Sequence, residues 1–277
     1  MDKILGKRLL RMGEYEWEWG KRTWIMGILN VTPDSFSDGG QYLSVTSAVT
    51  HARRMVAEGA DIIDVGGEST RPGFSEVSLE EELERVIPVI KALSRELSIP
   101  ISIDSYKAET ARRAVEAGAH IINDIWGFKK DPDMAAVAAK LDCPVILMHN
   151  REVAEYGDLL GEIRRDLLES VALAVKAGVR EENIILDPGI GFGKNYEHNL
   201  ELMRRLSEIS DLGYPVLLGT SRKTFIRKTL NLPADDVLEG TAATTVAGIM
   251  QGCDIVRVHD VGPMKRTARM ADAMFRR

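Results

Sequence analysis

Polar residues able to take part in chemistry stand at intervals along this chain, each closing a short apolar run. In order they are Asn30, Asp64 with Glu68 just beyond it, Asp104, Asn123 with Asp124, His149, Asp187, Lys223 in the turn "GTSRK", and Arg257 with His259. Asp and Asn have an ordinary use at such places, because both cap helices and end strands. Polar groups at all of these ends in one chain point further. Brought together, they make a cup of carboxylates and amides with an ammonium, a guanidinium and imidazole. Neighbouring carboxylates and amides suit a planar heterocycle whose edge alternates donors and acceptors, with one carboxylate taking two adjacent N–H groups. Arg257, His259 and Lys223 offer an anion subsite, and Asn30 offers an oxygen to Mg²⁺. That cation takes few protein ligands and keeps waters and substrate phosphates.

The elements that must position these groups are legible in the hydrophobic pattern. The apolar runs are "WIMGILN", "DIIDVGG", "PISIDS", "HIINDI", "PVILMHN", "NIILDPG", "PVLLGTS" and "DIVRVHD". Continuous apolar runs without alternation fit strands covered on both faces, as in parallel sheets. Between them lie segments such as "SAVTHARRMVAEGA", "SLEEELERVIPVIKALSREL", "KAETARRAVEAGA" and "EIRRDLLESVALAVKAGV", whose apolar residues recur every three or four positions. "SLEE" from Ser78 offers a capping-box start to the second of these helices. Eight strand-then-helix units imply right-handed parallel crossovers, and eight is the number that closes into a (β/α)₈ TIM barrel. An open doubly wound sheet fits less well, because no run reads as an edge strand and no complete Gly-rich dinucleotide fingerprint follows the first strand. "EYEWEWG" alternates Glu with an aromatic at period two, which predicts a short β-hairpin. Residues 1–23 therefore read as an N-terminal strand or hairpin extension capping the barrel, and residues 24–277 as one barrel domain. Active sites of such barrels form at the C-terminal ends of the strands, where the polar residues stand.

Bulk properties exclude several alternatives. A chain of 277 residues with 44% apolar and 28% charged residues has ample material for a core. Its net charge of -6 argues against general affinity for nucleic acid or anionic membranes, which needs a basic face. Cys143 and Cys253 each precede an apolar run and read as reduced structural thiols. The first twenty residues are charged throughout, with neither an apolar span nor a small-residue cleavage site, so a cytoplasmic protein is expected. "GIGFGK" at 189–194 is one residue short of a P-loop and runs into Asn195 rather than Ser or Thr. No His or Cys pair has zinc spacing, and no nucleophile elbow is present. His51, His120 and His198 fall in helical segments or at a strand start, where solvent or core roles are expected.

Seven blocks identify a resemblance. "MGILNVTPDSFSDGG", "DVGGESTRPG", "SIDSYK", "INDIWG", "LDPGIGFGK", "LLGTSRKTFI" and "VRVHDV" together resemble the dihydropteroate synthase family over residues 24–261. The resemblance implies a (β/α)₈ barrel, normally a homodimer, that joins p-aminobenzoate to 6-hydroxymethyl-7,8-dihydropterin pyrophosphate with Mg²⁺, giving 7,8-dihydropteroate and pyrophosphate. Matched block by block, the pterin pocket falls on Asp104, Asn123, Met148, Asp187 and Lys223. The pyrophosphate site falls on Asn30, Arg257 and His259, with Asn30 also on the metal. Two lid loops correspond to 31–40 and 67–76. The p-aminobenzoate subsite would comprise Phe36, Ser69, Thr70, Pro72, Phe192, Lys223 and Thr224, and the catalytic groups Phe36, Asp38, Arg71 and Lys223. Sulfonamides are the implied competitors. Thr224 departs from the Ser expected there, which points to an altered sulfonamide fit.

Two other functions share part of this pattern. A folate-dependent methyltransferase also binds a pterin at barrel strand ends, but has no need of the "TPDSFSDGG" and "STRPG" loops or of the Arg257/His259 anion pair. A paralogue that binds pterin without synthesis would keep the pterin blocks alone.

Overall fold

All eight apolar runs become parallel strands. The computed structural model describes residues 9–31, 40–68 and 76–276, with side chains of the second stretch from residue 45 onward. The expected site residues Phe36, Asp38, Ser69, Thr70, Arg71 and Pro72 lie outside the described residues. A hairpin of β1 (Leu9–Met12) and β2 (Tyr15–Glu18) comes first. The barrel strands are β3 (Trp24–Asn30), β4 (Ile62–Gly66), β5 (Ile101–Asp104), β6 (Ile121–Asp124), β7 (Val145–Met148), β8 (Ile184–Asp187), β9 (Leu217–Leu218) and β10 (Ile255–Val258). Helices α1 (Gly40–Glu58), α2 (Leu79–Glu96), α3 (Ala108–Glu116), α4 (Met134–Leu141) and α5 (Leu159–Ala177) follow β3 to β7 in turn. After β8 come α6 (Tyr196–Arg204) and the single turn α7 (Ser207–Ser210), after β9 come α8 (Thr224–Leu230) and α9 (Leu238–Met250), and after β10 comes α10 (Val261–Phe275).

The strand order is β8-β7-β6-β5-β4-β3-β10-β9, all parallel. Val216 pairs in parallel with Leu186, and the Leu186 N–H donates to the Pro215 carbonyl at 2.9 Å, so the ring closes between β8 and β9. β9 is much shorter than its apolar run because Gly219, Thr220 and Ser221 leave the sheet in a turn, in which the Lys223 N–H donates to the Thr220 carbonyl at 3.1 Å.

Alternation at period two divides each strand between two cores. Ile25, Leu29, Ile63, Val65, Ile103, Ile122, Val145, Leu147, Leu186 and Val256 pack outward with the helices. Trp24, Met26, Ile62, Ile121, Ile146, Ile185, Leu217 and Ile255 point inward and share one cluster with Leu10, Met12 and Trp17 of the hairpin. Each such side chain taken from water contributes roughly 1.5–3 kcal/mol. Trp17 stacks on Trp24 with ring centroids 4.0 Å apart, so the aromatic face of "EYEWEWG" lies on the barrel's N-terminal end. His120 sits there too, its Nδ1 accepting the Ile101 N–H at 3.2 Å and its ring edge-on to Tyr15.

The Ser78 side chain caps α2 by accepting the Glu81 N–H at 3.2 Å. The other half of the expected capping box is not made, because Glu81 pairs with Arg85 one turn on. A complete box occurs instead at α6, between Asn195 and His198. Cys143 and Cys253 are free and buried. Among the described residues, no helix is long and apolar enough to cross a membrane.

Candidate active site at the C-terminal mouth

The inward alternation that fills the lower barrel with Ile and Trp places polar side chains at its upper end. Asn30, Gly66, Asp104 and Asn123 are register partners across β3, β4, β5 and β6, and Met148 pairs with Asp187 across β7 and β8. Five residues expected in the pterin pocket or beside the metal therefore stand around one rim. Asn123, Met148 and Asp187 are buried, and Asn30 is half-buried.

Arg257 organises the floor of the cup. From β10 its Nε donates to Asp64 Oδ2 at 2.6 Å and its NH2 to Asp104 Oδ2 at 2.6 Å. Asn123 Nδ2 also donates to Asp64 Oδ2, at 3.2 Å. Two carboxylates on one guanidinium leave the group net negative. Burial pushes the Asp104 carboxyl up to about 7, against the pull of Arg257 and with the help of the Asp64 charge. Asp64 Oδ1 and Asp104 Oδ1 are buried with no hydrogen-bond partner. Such oxygens are costly to leave bare, so they are places where donors of a ligand would be welcomed.

Asp187 forms the far wall. Its Oδ1 accepts the Gly189 N–H at 2.7 Å, and burial raises its carboxyl to about 6 while Gly189, Lys223, Arg257 and Lys194 pull the other way. Lys223, the residue before α8, sets its Nζ 4.0 Å from the centroid of the Phe192 ring. Thr224, the first residue of α8, is exposed. Ser221 Oγ lies 3.0 Å from His259 Nδ1 and accepts the His259 N–H at 3.2 Å, which fixes that imidazole at the rim.

Three of the polar strand ends do not face the cup. Asp124 has the outward parity of Ile122 and accepts the N–H groups of Trp126 and Phe128, both at 2.8 Å, so it shapes its own loop. His149 likewise points outward, with Nδ1 2.8 Å from Lys194 Nζ and Nε2 3.3 Å from Asp166 Oδ2. Glu68 turns to Lys107 Nζ at 2.7 Å and to the Tyr106 hydroxyl at 3.1 Å. Period two decides the first two cases, since Asn123 and Met148 hold the inward positions beside Asp124 and His149, whereas Glu68 lies beyond the end of β4 and is drawn off by Lys107 and Tyr106. Asp64 stands in the cup as its place at a strand end predicts, but its role as the partner of Arg257 and Asn123 is given by no motif, and Ser221 is not among the predicted residues at all. Asp64 was detectable from its inward parity with Ile62, whereas no pattern singles out Ser221.

Among the described residues, no group of three or more His, Cys, Asp or Glu is arranged to hold a metal ion. The Asn30 carbonyl oxygen is nonetheless a hard donor at the mouth. Beside it Gly66 leaves space that a side chain would fill, since a Cβ there would lie 3.8 Å from Asn30 Oδ1 and 3.7 Å from Asp104 Oδ2. A single oxygen donor with room next to it fits Mg²⁺ better than a metal that needs a protein cage.

The pterin binding enzyme family model matches residues 26–259. A dihydropteroate synthase of Clostridium beijerinckii is 59% identical over 97% of this chain and 100% of that protein. The crystal structure of dihydropteroate synthase from Clostridium difficile in the presence of pteroic acid superposes with a TM-score of 0.93 at 55% identity, covering 94% of this chain and 100% of that one. That of Xanthomonas albilineans with 4-aminobenzoic acid does so with a TM-score of 0.92 at 40% identity, covering 97% and 98%. This chain, with its closed barrel and polar upper rim, belongs to the pterin binding enzyme family and within it to the dihydropteroate synthases.

Proposed function

We propose that the cup binds 6-hydroxymethyl-7,8-dihydropterin pyrophosphate and p-aminobenzoate and condenses them to 7,8-dihydropteroate, releasing pyrophosphate. The observation that carries this reading is the pair of bare carboxylate oxygens, Asp64 Oδ1 and Asp104 Oδ1, buried beside Asn123 and Asp187. A pterin ring, with N–H groups and acceptors along one edge, answers that set. Asp187 takes the ring N3–H and 2-amino group as a bidentate pair, Asn123 and Asp104 serve the remaining ring positions, and Met148 lies along the ring face. Arg257 holds Asp64 and Asp104 in place at the floor. With His259 it also faces the pyrophosphate.

The reaction breaks the bond from the pterin methylene to the pyrophosphate oxygen, and the electron pair leaves with that oxygen. The methylene is conjugated with an electron-rich ring, so a dissociative path is open. Asn30 would hold Mg²⁺, which when bound would supply charge neutralisation to the departing anion. Arg257 and His259 add positive charge on the same side. The arylamine nitrogen then forms the new C–N bond and loses one proton, which a weakly basic aniline does readily, so no strong general base is needed. Phe192, Lys223 and Thr224 line the arylamine side. The resemblance assigns Phe36, Asp38, Ser69, Thr70, Arg71 and Pro72, which lie outside the described residues, to the same reaction, where they would exclude water. Sulfonamides, which present the same aniline, compete on the arylamine side.

The protein works as a cytoplasmic enzyme of one barrel domain over 24–277, capped by residues 1–23, and pairs as a homodimer. Support for the pairing comes from Leu238 and Met250 of α9 and Met270, Met274 and Phe275 of α10, large apolar side chains left exposed on helices that pack against each other. Pyrophosphate release from the purified protein tests the activity. Release with the pterin pyrophosphate and Mg²⁺ should require p-aminobenzoate and yield dihydropteroate. Tight pterin binding without release would favour a binding paralogue.

A further inference from the structure

Lys194 is 9% exposed, and its Nζ is ringed by three acceptors: the Gly189 carbonyl at 2.9 Å, the Phe192 carbonyl at 2.9 Å and His149 Nδ1 at 2.8 Å. An ammonium has three N–H bonds, so every donor is spent on the protein and none remains for a substrate. We propose that Lys194 is a positioning residue for the arylamine subsite, tying the 189–193 loop to the end of β7 so that the Phe192 ring is held beneath Lys223. This inference rests on the reading of Phe192 and Lys223 given above.

The surroundings are built as a support for the loop. Gly189 has φ +68°, and a Cβ there would fall 1.9 Å from the His149 carbonyl; at Gly193, φ +53°, it would fall 2.5 Å from the Arg151 carbonyl. The loop is thus pressed onto the backbone that follows β7. Tyr156 donates to the Gly193 carbonyl at 2.7 Å, and the Gly191 N–H donates to Asn199 Oδ1 at 2.6 Å. On the other side of Lys194, His149 accepts at Nδ1 and so carries its proton at Nε2, facing Asp166. Burial, aided by the Lys194 and Arg151 charges, holds the His149 imidazole neutral, with its pKa lowered to about 2. Arg151 in turn clamps Asp166 at 2.7 Å and Glu162 at 2.7 Å. The chain of contacts runs from α5 through His149 and Lys194 to Phe192.

Charge makes the strut titratable. Burial lowers the Lys194 pKa to about 7; Asp187 and Asp166 oppose this, and Lys223 and Arg151 reinforce it. A neutral amine has two N–H bonds and a lone pair, so deprotonation leaves one of the three acceptors facing that lone pair. The loop should loosen as pH rises through the folded pKa.

Steady-state kinetics of the parent, Lys194→Met and Lys194→Gln between about pH 6 and 9, with thermal melting of each, test the inference. In either folded variant the KM for p-aminobenzoate should rise about 10-fold, while the KM for the pterin pyrophosphate moves about 2-fold or less. In the parent the p-aminobenzoate KM should climb with pH above about 7, and Lys194→Gln should abolish the climb. Should Lys194→Met fail to fold, Lys194→Gln and the parent pH profile decide alone. A lowered melting temperature with the p-aminobenzoate KM unmoved, both KM values raised alike, or a climb that persists in Lys194→Gln would each overturn the assignment. An inactive parent overturns the synthase reading and this inference together, whereas an active parent with unmoved KM overturns this inference alone.

Discussion

Near the N-terminal end of the barrel the inward positions hold Trp24, Met26, Ile62, Ile121, Ile146, Ile185, Leu217 and Ile255 under a hairpin that adds Leu10, Met12 and Trp17. Two residues further along the same strands they hold Asp64, Asn123, Met148, Asp187 and Arg257. The lower layer is apolar, close-packed and complete within the chain. With Asp104 of β5 included, the upper layer holds three carboxylates, two of which, Asp64 and Asp104, keep a buried oxygen without a partner. One set of strands thus carries a layer that stabilises the fold beside a layer that stores unfavourable desolvation for a ligand to relieve.

The sharpest way to break this contrast is to remove the one cation that holds the upper layer together. Arg257→Leu should lower stability by about 3–5 kcal/mol at neutral pH, because it strands Asp64 and Asp104. It should also abolish measurable synthesis. The Asp104 pKa, already raised by burial, should rise further without Arg257, so the deficit should shrink as pH falls and that carboxyl takes up a proton. Denaturant melts at two pH values check this, and equal losses at both would mean that the upper layer is not under electrostatic load. Trp17→Ala tests the lower layer. It should remove about 3 kcal/mol by opening a cavity against Trp24, yet leave both KM values unchanged in the folded enzyme.

Asp187→Asn should separate function from stability. The folded carboxyl has its pKa raised to about 6, so the parent loses stability as pH climbs from the ordinary carboxylate range through that value. An Asn oxygen can still accept the Gly189 N–H but never ionises. The variant should therefore be about 2 kcal/mol more stable at pH 7 and less dependent on pH between about 4 and 6. Calorimetry should show pterin affinity about 100-fold weaker, since a charge-assisted bidentate contact is gone. Affinity equal to the parent's would remove Asp187 from the pterin wall. The smallest effect is expected at Thr224, which is exposed at the start of α8. Thr224→Ser should shift sulfonamide inhibition by about 3-fold or less, as surface changes usually contribute within about 0.5 kcal/mol.

Most of the lower layer was legible in the sequence, because apolar runs and their spacing are local signals. "EYEWEWG" even shows which face of the hairpin turns inward. The upper layer was legible in residue type but only partly in direction. Asn123 beside Asp124, and Met148 beside His149, differ in which of two neighbours faces the cup, and a strand end is where a reader loses count of the pleat. The contact of Arg257 with Asp64 spans 193 positions in the chain, and no local pattern announces it. Lys194 was hidden differently. Its residue type suggested a failed phosphate loop, and only burial reveals that its charge is turned into the protein.

The stacking of Trp17 on Trp24 has an optical consequence. Of the four tryptophans, Trp17, Trp19 and Trp24 sit together at the hairpin end, the first two edge-to-face and the first and third face-to-face. Indoles so close couple electronically, so this end should dominate the emission and the exciton band of the circular dichroism spectrum. Trp126, in the loop that follows β6, is the one indole placed on the same side as the cup. A Trp126→Phe variant should therefore lose the emission change on ligand binding while keeping the unfolding signal, which gives each end of the barrel its own reporter.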